Sequence, residues 1–287
     1  MPHLNSTVLM SGTEHFSDEF AINAYMDSSV PVDSDRAAAE HINIRHALES
    51  AGVTVIQVPA PEHCQDGVYT ANWALVGGEV AVMSNLPNKR QAEQPYAEKI
   101  LRELGKTIIH LPTSIRFSGQ GDALRCGKYL FAGTSYRTDA AAHDFVADIF
   151  GYGVVSLQTI PALDNNGTPI INAETGWPES FFYDIDLAIS VLKSDLIAWC
   201  PEAFTAESQE KIRALTDLQK IEVSLEEAQQ GFACNLVSTG ETVIMSNRAP
   251  QLQAAIEAHG LKTLPQDVVE LGKGGGFIRC TTLTLYN

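Results

Sequence analysis

At 287 residues, with 45% apolar side chains, the chain is long enough for one large α/β domain or two ordinary ones, and too apolar for wholesale disorder. A formal net charge of -16 sets its surface against phosphate backbones and anionic membranes, which argues against nucleic-acid and membrane partners. No apolar run nears the ~20 residues of a membrane helix, and the five scattered cysteines without C-x-x-C spacing argue against a disulfide framework or structural zinc.

The opening Met1-Pro2-His3-Leu4-Asn5 has neither a basic n-region nor an apolar h-region, so a cytoplasmic, reducing location is expected. Strands are then predicted at 7–10 and 53–58 around a helix over 36–50. Next come strands at 69–75 and 80–83, a helix within 92–104 and a strand at 107–111. The rhythm returns as strands at 123–126 and 129–132, a helix over 140–150 and a strand at 153–157. It returns again as strands within 185–192 and at 196–199, a helix over 208–215 and a strand at 221–223. The last copy has strands at 232–237 and 242–246, a helix over 252–259 and a strand at 261–264. Alternating strands and amphipathic helices indicate α/β units, with Gly77-Gly78 and Thr239-Gly240 as turns between paired strands.

Two copies are alike in detail. Val82-Met83-Ser84-Asn85 is echoed by Ile244-Met245-Ser246-Asn247, and each follows a segment with an internal Asn, Asn72 or Asn235. A unit of roughly 45–55 residues used five times is a repeat architecture whose members bury their sheet faces only against one another. The last strand would then close against the first unit. No Pro/Ser-rich linker interrupts residues 1–287, so one domain is expected. Asp164-Asn165-Asn166-Gly167-Thr168-Pro169 reads either as a pocket cover or as an ordinary surface loop.

The chemistry-bearing positions recur beside the turns of these units. Gly274-Gly275-Gly276-Phe277-Ile278-Arg279-Cys280 brings a cysteine to a glycine-rich stretch with a cation beside it. That is a setting for a nucleophile, and equally for a buried free cysteine on a strand. Asp66 precedes Gly67-Val68-Tyr69-Thr70-Ala71-Asn72, and Asp122 closes Ser118-Gly119-Gln120-Gly121-Asp122. Asp184 and Asp186 are two apart, so on a strand they share a face. Each Asp alone suits a turn or a helix cap. Gathered in one pocket, they need a cation, and a guanidinium or amidinium offers N–H pairs to match them. Four carboxylates also admit a hard metal ion as an alternative.

These motifs, in this order across nearly the whole chain, resemble the guanidino-group-modifying superfamily with the pentein fold. Asn85-Leu86-Pro87, Arg90, Glu93 and Ser135-Tyr136-Arg137-Thr138 add to the likeness. Its members include dimethylarginine dimethylaminohydrolases, arginine deiminases and amidinotransferases. The resemblance implies a five-bladed α/β propeller of ββαβ repeats, without cofactor or metal, and a possible homodimer. It implies a covalent mechanism in which Cys280 attacks the central guanidine carbon and water releases a urea-type product; in the transferases an amine replaces the water. Asp66 and Asp186 match carboxylates that grip the guanidinium, with Asp122 in support. Arg90 and Arg137 match positions that meet the carboxylate of an amino-acid substrate, or else form surface ion pairs. The expected partner is a small cationic or zwitterionic guanidine.

Two positions depart from the family pattern. Members usually carry a His where Asp184 stands, acting as general acid and base, and a Glu near it where Ser118 stands. Two readings follow: a decayed pocket that only binds a cationic ligand, or a coupled exchange that moves one carboxylate from one wall to the other. In the second, Asp184 beside Asp186 has a raised pKa and shuttles the proton. His41, His46, His63, His143 and His259 have no assigned place in this scheme.

Overall fold

The structure is a computed structural model that describes residues 4–27, 29–86, 88–134 and 136–286; the motif positions Pro87 and Ser135, and the stretch Met1-Pro2-His3, fall outside it. In chain order, β1 (Thr7–Ser11), α1 (Ser34–Ser50) and β2 (Thr54–Val58) come first. They are followed by β3 (Ala74–Gly77), β4 (Val80–Met83), α2 (Gln94–Glu103) and β5 (Thr107–Ile109). Next are β6 (Ala123–Cys126), β7 (Tyr129–Thr134), α3 (Ala141–Phe150) and β8 (Gly153–Gln158). Then come β9 (Ile189–Lys193), β10 (Leu196–Trp199), α4 (Ala206–Arg213), β11 (Gln219–Glu222) and α5 (Leu225–Gly231). The chain ends with β12 (Val237–Ser238), β13 (Thr242–Ser246), α6 (Pro250–Ala258), β14 (Lys262–Gln266), α7 (Glu270–Lys273) and β15 (Leu283–Tyr286).

These strands form five three-stranded sheets of one design. In each, the middle strand runs antiparallel to its hairpin partner and parallel to the strand that follows the helix. A parallel pair needs a crossover connection, which explains why a helix always sits there. The first sheet is assembled from both ends of the chain, with β15 antiparallel to β1 as the repeat pattern predicts.

Contacts between sheets run in a closed cycle: β15 on β3, β3 on the turn before β6, β6 on β9, β9 on β12, and α1 back on β13 and β14. Strands in such a cycle are covered on both faces, and all four residues of β10 are accordingly buried. On the outside, Ala97, Ile100 and Leu101 of α2 pack on Ala81 and Met83 of β4. Two buried carboxylates stitch helices together. Glu40 of α1 accepts from the N–H groups of Val269, Glu270 and Leu271, satisfying donors that α7 leaves unpaired at its start. Glu227 of α5 does the same for Gln251 and Leu252 of α6.

The predicted strands at 69–75, 185–192 and 232–237 each begin later than expected. Thr70–Asn72 and Ile185–Leu187 are single 3-10 turns, and 232–235 is a turn closed by the Asn235 N–H on the Phe232 carbonyl. These tight turns feed each inner strand and aim its polar side chains at one place. The loop 164–169 is fully exposed and is an ordinary surface loop.

Candidate active site

Cys280 lies on a turn ahead of β15, not on a strand: the Thr281 N–H donates to the Phe277 carbonyl and the Thr282 N–H to Arg279. The glycines before it are required by crowding. A Cβ on Gly276 would overlap the Tyr69 ring and Cys280, and one on Gly275, whose φ is 87°, would overlap Asn23. The cysteine is 3% exposed. Its Sγ accepts from Asn235 Nδ2 at 3.1 Å and donates to Asp186 Oδ2 at 3.4 Å, while its N–H donates to Asn235 Oδ1 at 3.1 Å. Burial, and then the Asp186 carboxylate, push the thiol well above its usual range. The neighbouring Arg279 points the other way, to Gln120 Oε1 (2.8 Å) and Thr284 Oγ1 (2.9 Å), beside a small cavity of about 60 Å³. Its charge opposes the rise at Asp186.

Asp184 and Asp186 flank Ile185 on the 3-10 turn, so they do not share a strand face; each meets a different wall. Asp186 turns to Cys280 and is raised to about 8 by burial and by the nearby Asp184 charge. Its second oxygen, Oδ1, is buried without a hydrogen-bond partner among the described residues. Asp184 faces Ser118, whose hydroxyl donates to Oδ1 at 2.7 Å, and its Oδ2 accepts from Asn72 Nδ2 (2.8 Å) and Arg137 Nη1 (3.3 Å). The two residues that depart from the family pattern are thus direct partners.

The other expected residues divide. Asp122 gives both oxygens to protein: Oδ2 to the Thr138 hydroxyl at 2.7 Å and Oδ1 to the Ile185 N–H at 2.9 Å. Its carboxyl is raised well above the usual range by burial and by Asp184. It holds the 184–186 turn in place, with a protein donor on each oxygen. Asp66 accepts from Gln65 Nε2 at 3.1 Å, and burial raises it to about 6. It lines a cleft of about 340 Å³ with His15, Glu19, Phe20, His63 and Lys89. Among the described residues no hydrogen bond joins it to Cys280, Asp184 or Asp186.

Arg90 is not free for a substrate carboxylate and is no surface pair. Within the 3-10 helix Asn88–Glu93 its partner stands three residues on, and Nε and Nη2 reach Glu93 at 2.7 and 2.8 Å. It also donates to Asn72 Oδ1 (2.6 Å) and to the carbonyls of Asp66 and Tyr69. Burial opposes its charge, and Glu93 and Asp66 outweigh that and raise its pKa. Arg137 lies 4.1 Å over the Tyr183 ring and donates one hydrogen bond, to Asp184.

Asn72 and Asn235, which both meet the site, stand in the echoed segments of the two alike copies. No described histidine bonds to Cys280, Asp184 or Asp186. His143 contacts the Gly133 carbonyl at 2.8 Å, and His259 that of Ala255 at 2.9 Å. His41 is buried, and burial lowers it to about 4. Among the described residues no group of three His, Cys, Asp or Glu is placed to hold a metal ion.

Comparison with known proteins bears on this geometry. The family model described as N,N dimethylarginine dimethylhydrolase, eukaryotic, matches residues 10–287. The N(G),N(G)-dimethylarginine dimethylaminohydrolase of Mycobacterium tuberculosis is 30% identical over 281 residues, covering 96% of this chain and 85% of its own. The bifunctional arginine dihydrolase/ornithine cyclodeaminase ArgZ of Synechocystis is 29% identical over 279 residues, and the match spans 96% of this chain but only 37% of that protein. The solved N-terminal domain of ArgZ bound to substrate superposes with a TM-score of 0.87 at 27% identity, covering 98% of both chains. Another structure of that domain holds a covalently bound reaction intermediate, again with a TM-score of 0.87 at 27% identity and 97% of both chains covered.

Proposed function

Because the chain belongs to the family described as N,N dimethylarginine dimethylhydrolase, eukaryotic, we propose that it hydrolyses a carbon–nitrogen bond of a guanidine or amidine through a covalent adduct on Cys280. The observation that carries this reading is the Cys280 sulfur held between Asn235 and Asp186, with an unpartnered Asp186 oxygen beside it. In this reading the five sheets are the blades of one pseudo-fivefold pentein domain, and the site lies where their tight turns converge.

In the empty pocket the thiol keeps its proton, and so does Asp186 below pH about 8. A guanidinium cation reverses both preferences, pairing with ionised Asp186 and favouring a thiolate next to it. Sulfur then bonds to the central carbon. The thiol proton passes through Asp184, which replaces the family's His, to the departing nitrogen, so a neutral amine or ammonia leaves and a cationic thiouronium remains. Water adds to that carbon and gives one proton to Asp184. The carbon–sulfur bond breaks, and a urea-type product, the thiol and one released proton result. Ser118 and Asn72 hold Asp184 in place for both transfers.

The far end of the substrate is read by Arg137, whose Nε and Nη2 make no hydrogen bond within the described residues, and by the Asp66 cleft, which suits an ammonium. An arginine-like zwitterion fits that division, in keeping with the activities named for the relatives. Cys280→Ser should abolish both turnover and trapping of a haloacetamidine; retained turnover in that variant would refute the mechanism. A second reading, a pocket that only binds, is favoured by Asp184 itself, because three protein donors already occupy its two oxygens. Calorimetry with arginine, its methylated forms and agmatine, followed by product analysis, separates the two: heat of binding without product supports the second.

A further inference from the structure

Two buried polar atoms near Cys280 have no hydrogen-bond partner among the described residues: Asp186 Oδ1 and the hydroxyl of Tyr25. Tyr25 sits on the short segment 22–26 that packs over the glycine run. Asn23 Nδ2 donates to the Gly274 carbonyl at 3.0 Å, and the Tyr25 N–H donates to Asn23 Oδ1 at 3.0 Å. The Tyr25 ring is wedged against Phe232 (4.5 Å between centroids) and Phe181 (5.1 Å). Phe232 in turn stacks on Phe277 at 5.0 Å, three residues ahead of Cys280, and begins the turn that presents Asn235 to the sulfur. Packing therefore fixes the ring, and its hydroxyl is sealed from solvent with nothing to bond. Burial first, then the charges of Cys280, Cys234 and Asp186, oppose ionisation of the phenol, so it is the neutral hydroxyl that faces this corner.

A sealed hydroxyl without a partner is destabilising, and so is an unpartnered carboxyl oxygen. Both groups are near enough to Cys280 for charge to act between them, and they do not bond each other. A planar NH2 group carries two N–H donors, one to offer to Asp186 Oδ1 and the other to the Tyr25 oxygen. We propose that Tyr25 is a substrate-binding residue that reads an unsubstituted nitrogen of a guanidinium or amidinium jointly with Asp186. This rests on the reading of Cys280 as the nucleophile of a guanidine-binding pocket. It adds a specificity rule: a substituent on that nitrogen removes one of the two bonds, so any alkyl group of the substrate must point elsewhere.

The test is alkylation of Cys280 by two chloromethyl probes, cationic 2-chloroacetamidine and neutral N,N-dimethyl-2-chloroacetamide, which has no N–H, each rate taken relative to that with a free thiol and read by intact-protein mass spectrometry on wild type and Tyr25→Phe. The phenylalanine keeps the ring against Phe232 and Phe181, and a thermal melt confirms the fold. Wild type should prefer the amidine. Tyr25→Phe should slow the amidine reaction about 10-fold or more, the loss expected for one hydrogen bond to a charged group, and leave the rate with the neutral amide unchanged. A variant that keeps the wild-type ratio of the two rates overturns the role of Tyr25 while leaving the nucleophile in place. A wild type that shows no preference for the amidine overturns both this inference and the guanidine-pocket reading.

Discussion

The two walls of the pocket are built on different logics. On one side Cys280, Asn235 and Asp186 meet directly, with a nucleophile, its donor and a carboxylate within hydrogen-bond reach. On the other, Ser118, Asn72 and Arg137 enclose Asp184. The first wall keeps the chemistry that makes and breaks the covalent bond. The second, in the proposed mechanism, carries the proton traffic. Substituting the first wall tests whether there is an enzyme at all, and substituting the second tests which proton route it uses.

The largest effect is expected at the sulfur. Cys280→Ser removes the sulfur proposed to form the adduct, so turnover should fall to background while substrate still binds; calorimetry beside a product assay reads both. Next comes Asp184→Asn, which keeps the shape and removes the proton carrier. A kcat loss of ~10²–10⁴-fold with a smaller change in KM is expected, in line with general acid–base contributions. An unchanged kcat would move the proton elsewhere. The pair can also be exchanged as a unit. Asp184→His alone sets a base beside Arg137 without a carboxylate, and Ser118→Glu alone adds a second acid beside Asp184. The double variant should recover activity that neither single variant has, a strongly non-additive cycle for residues 2.7 Å apart.

Arg90 and Arg137 sharpen the contrast, because one arginine is structural and the other borders the site. Arg90→Ala strands Glu93 in the interior together with two carbonyls and Asn72 Oδ1. A loss of ~3–5 kcal/mol is expected, typical of breaking a buried pair by removing one partner, and denaturant unfolding measures it. Arg137→Lys keeps the charge and loses the fork, so KM should rise for a substrate with a carboxylate and stay unchanged for agmatine, which has none.

Much of the architecture was legible, because strand–helix alternation survives in every copy. The spans predicted at 123–126 and 196–199 coincide with β6 and β10, and the closure of the chain's last strand on its first followed from the repeat count. The turns were not legible. Thr70–Asn72 and Ile185–Leu187 are apolar-polar mixtures that read as strand, and only contacts between sheets tighten them into 3-10 geometry. That error also displaced the site. A strand would have put Asp184 and Asp186 on one face; the turn sends them to different walls. Arg90 pointing inward was hidden too, since an Arg and a Glu three apart occur as commonly on a solvated helix face. Asn72 and Asn235 did carry a signal, the same internal Asn in two alike copies, but an amide has no titration to advertise a role.

The smallest expected effect concerns Asp186, where function and stability oppose each other. Folded, its carboxyl is raised to about 8; unfolded, it returns to ~3.9. Between those values the folded protein holds the extra proton, so this group's contribution to stability is full below pH ~4 and is lost as pH rises through about 8. Asp186→Asn has no such loss. Its Tm relative to wild type should therefore climb from pH 6 to pH 9, by a few °C for a chain of this size, even though the variant cannot pair with a guanidinium. Activity should run the other way in wild type: kcat/KM rises as pH approaches about 8, because the cation binds the ionised carboxylate. A Tm difference that stays flat with pH would mean that Asp186 is already ionised in the empty pocket, and the ascending limb of kcat/KM would then belong to the Cys280 thiol.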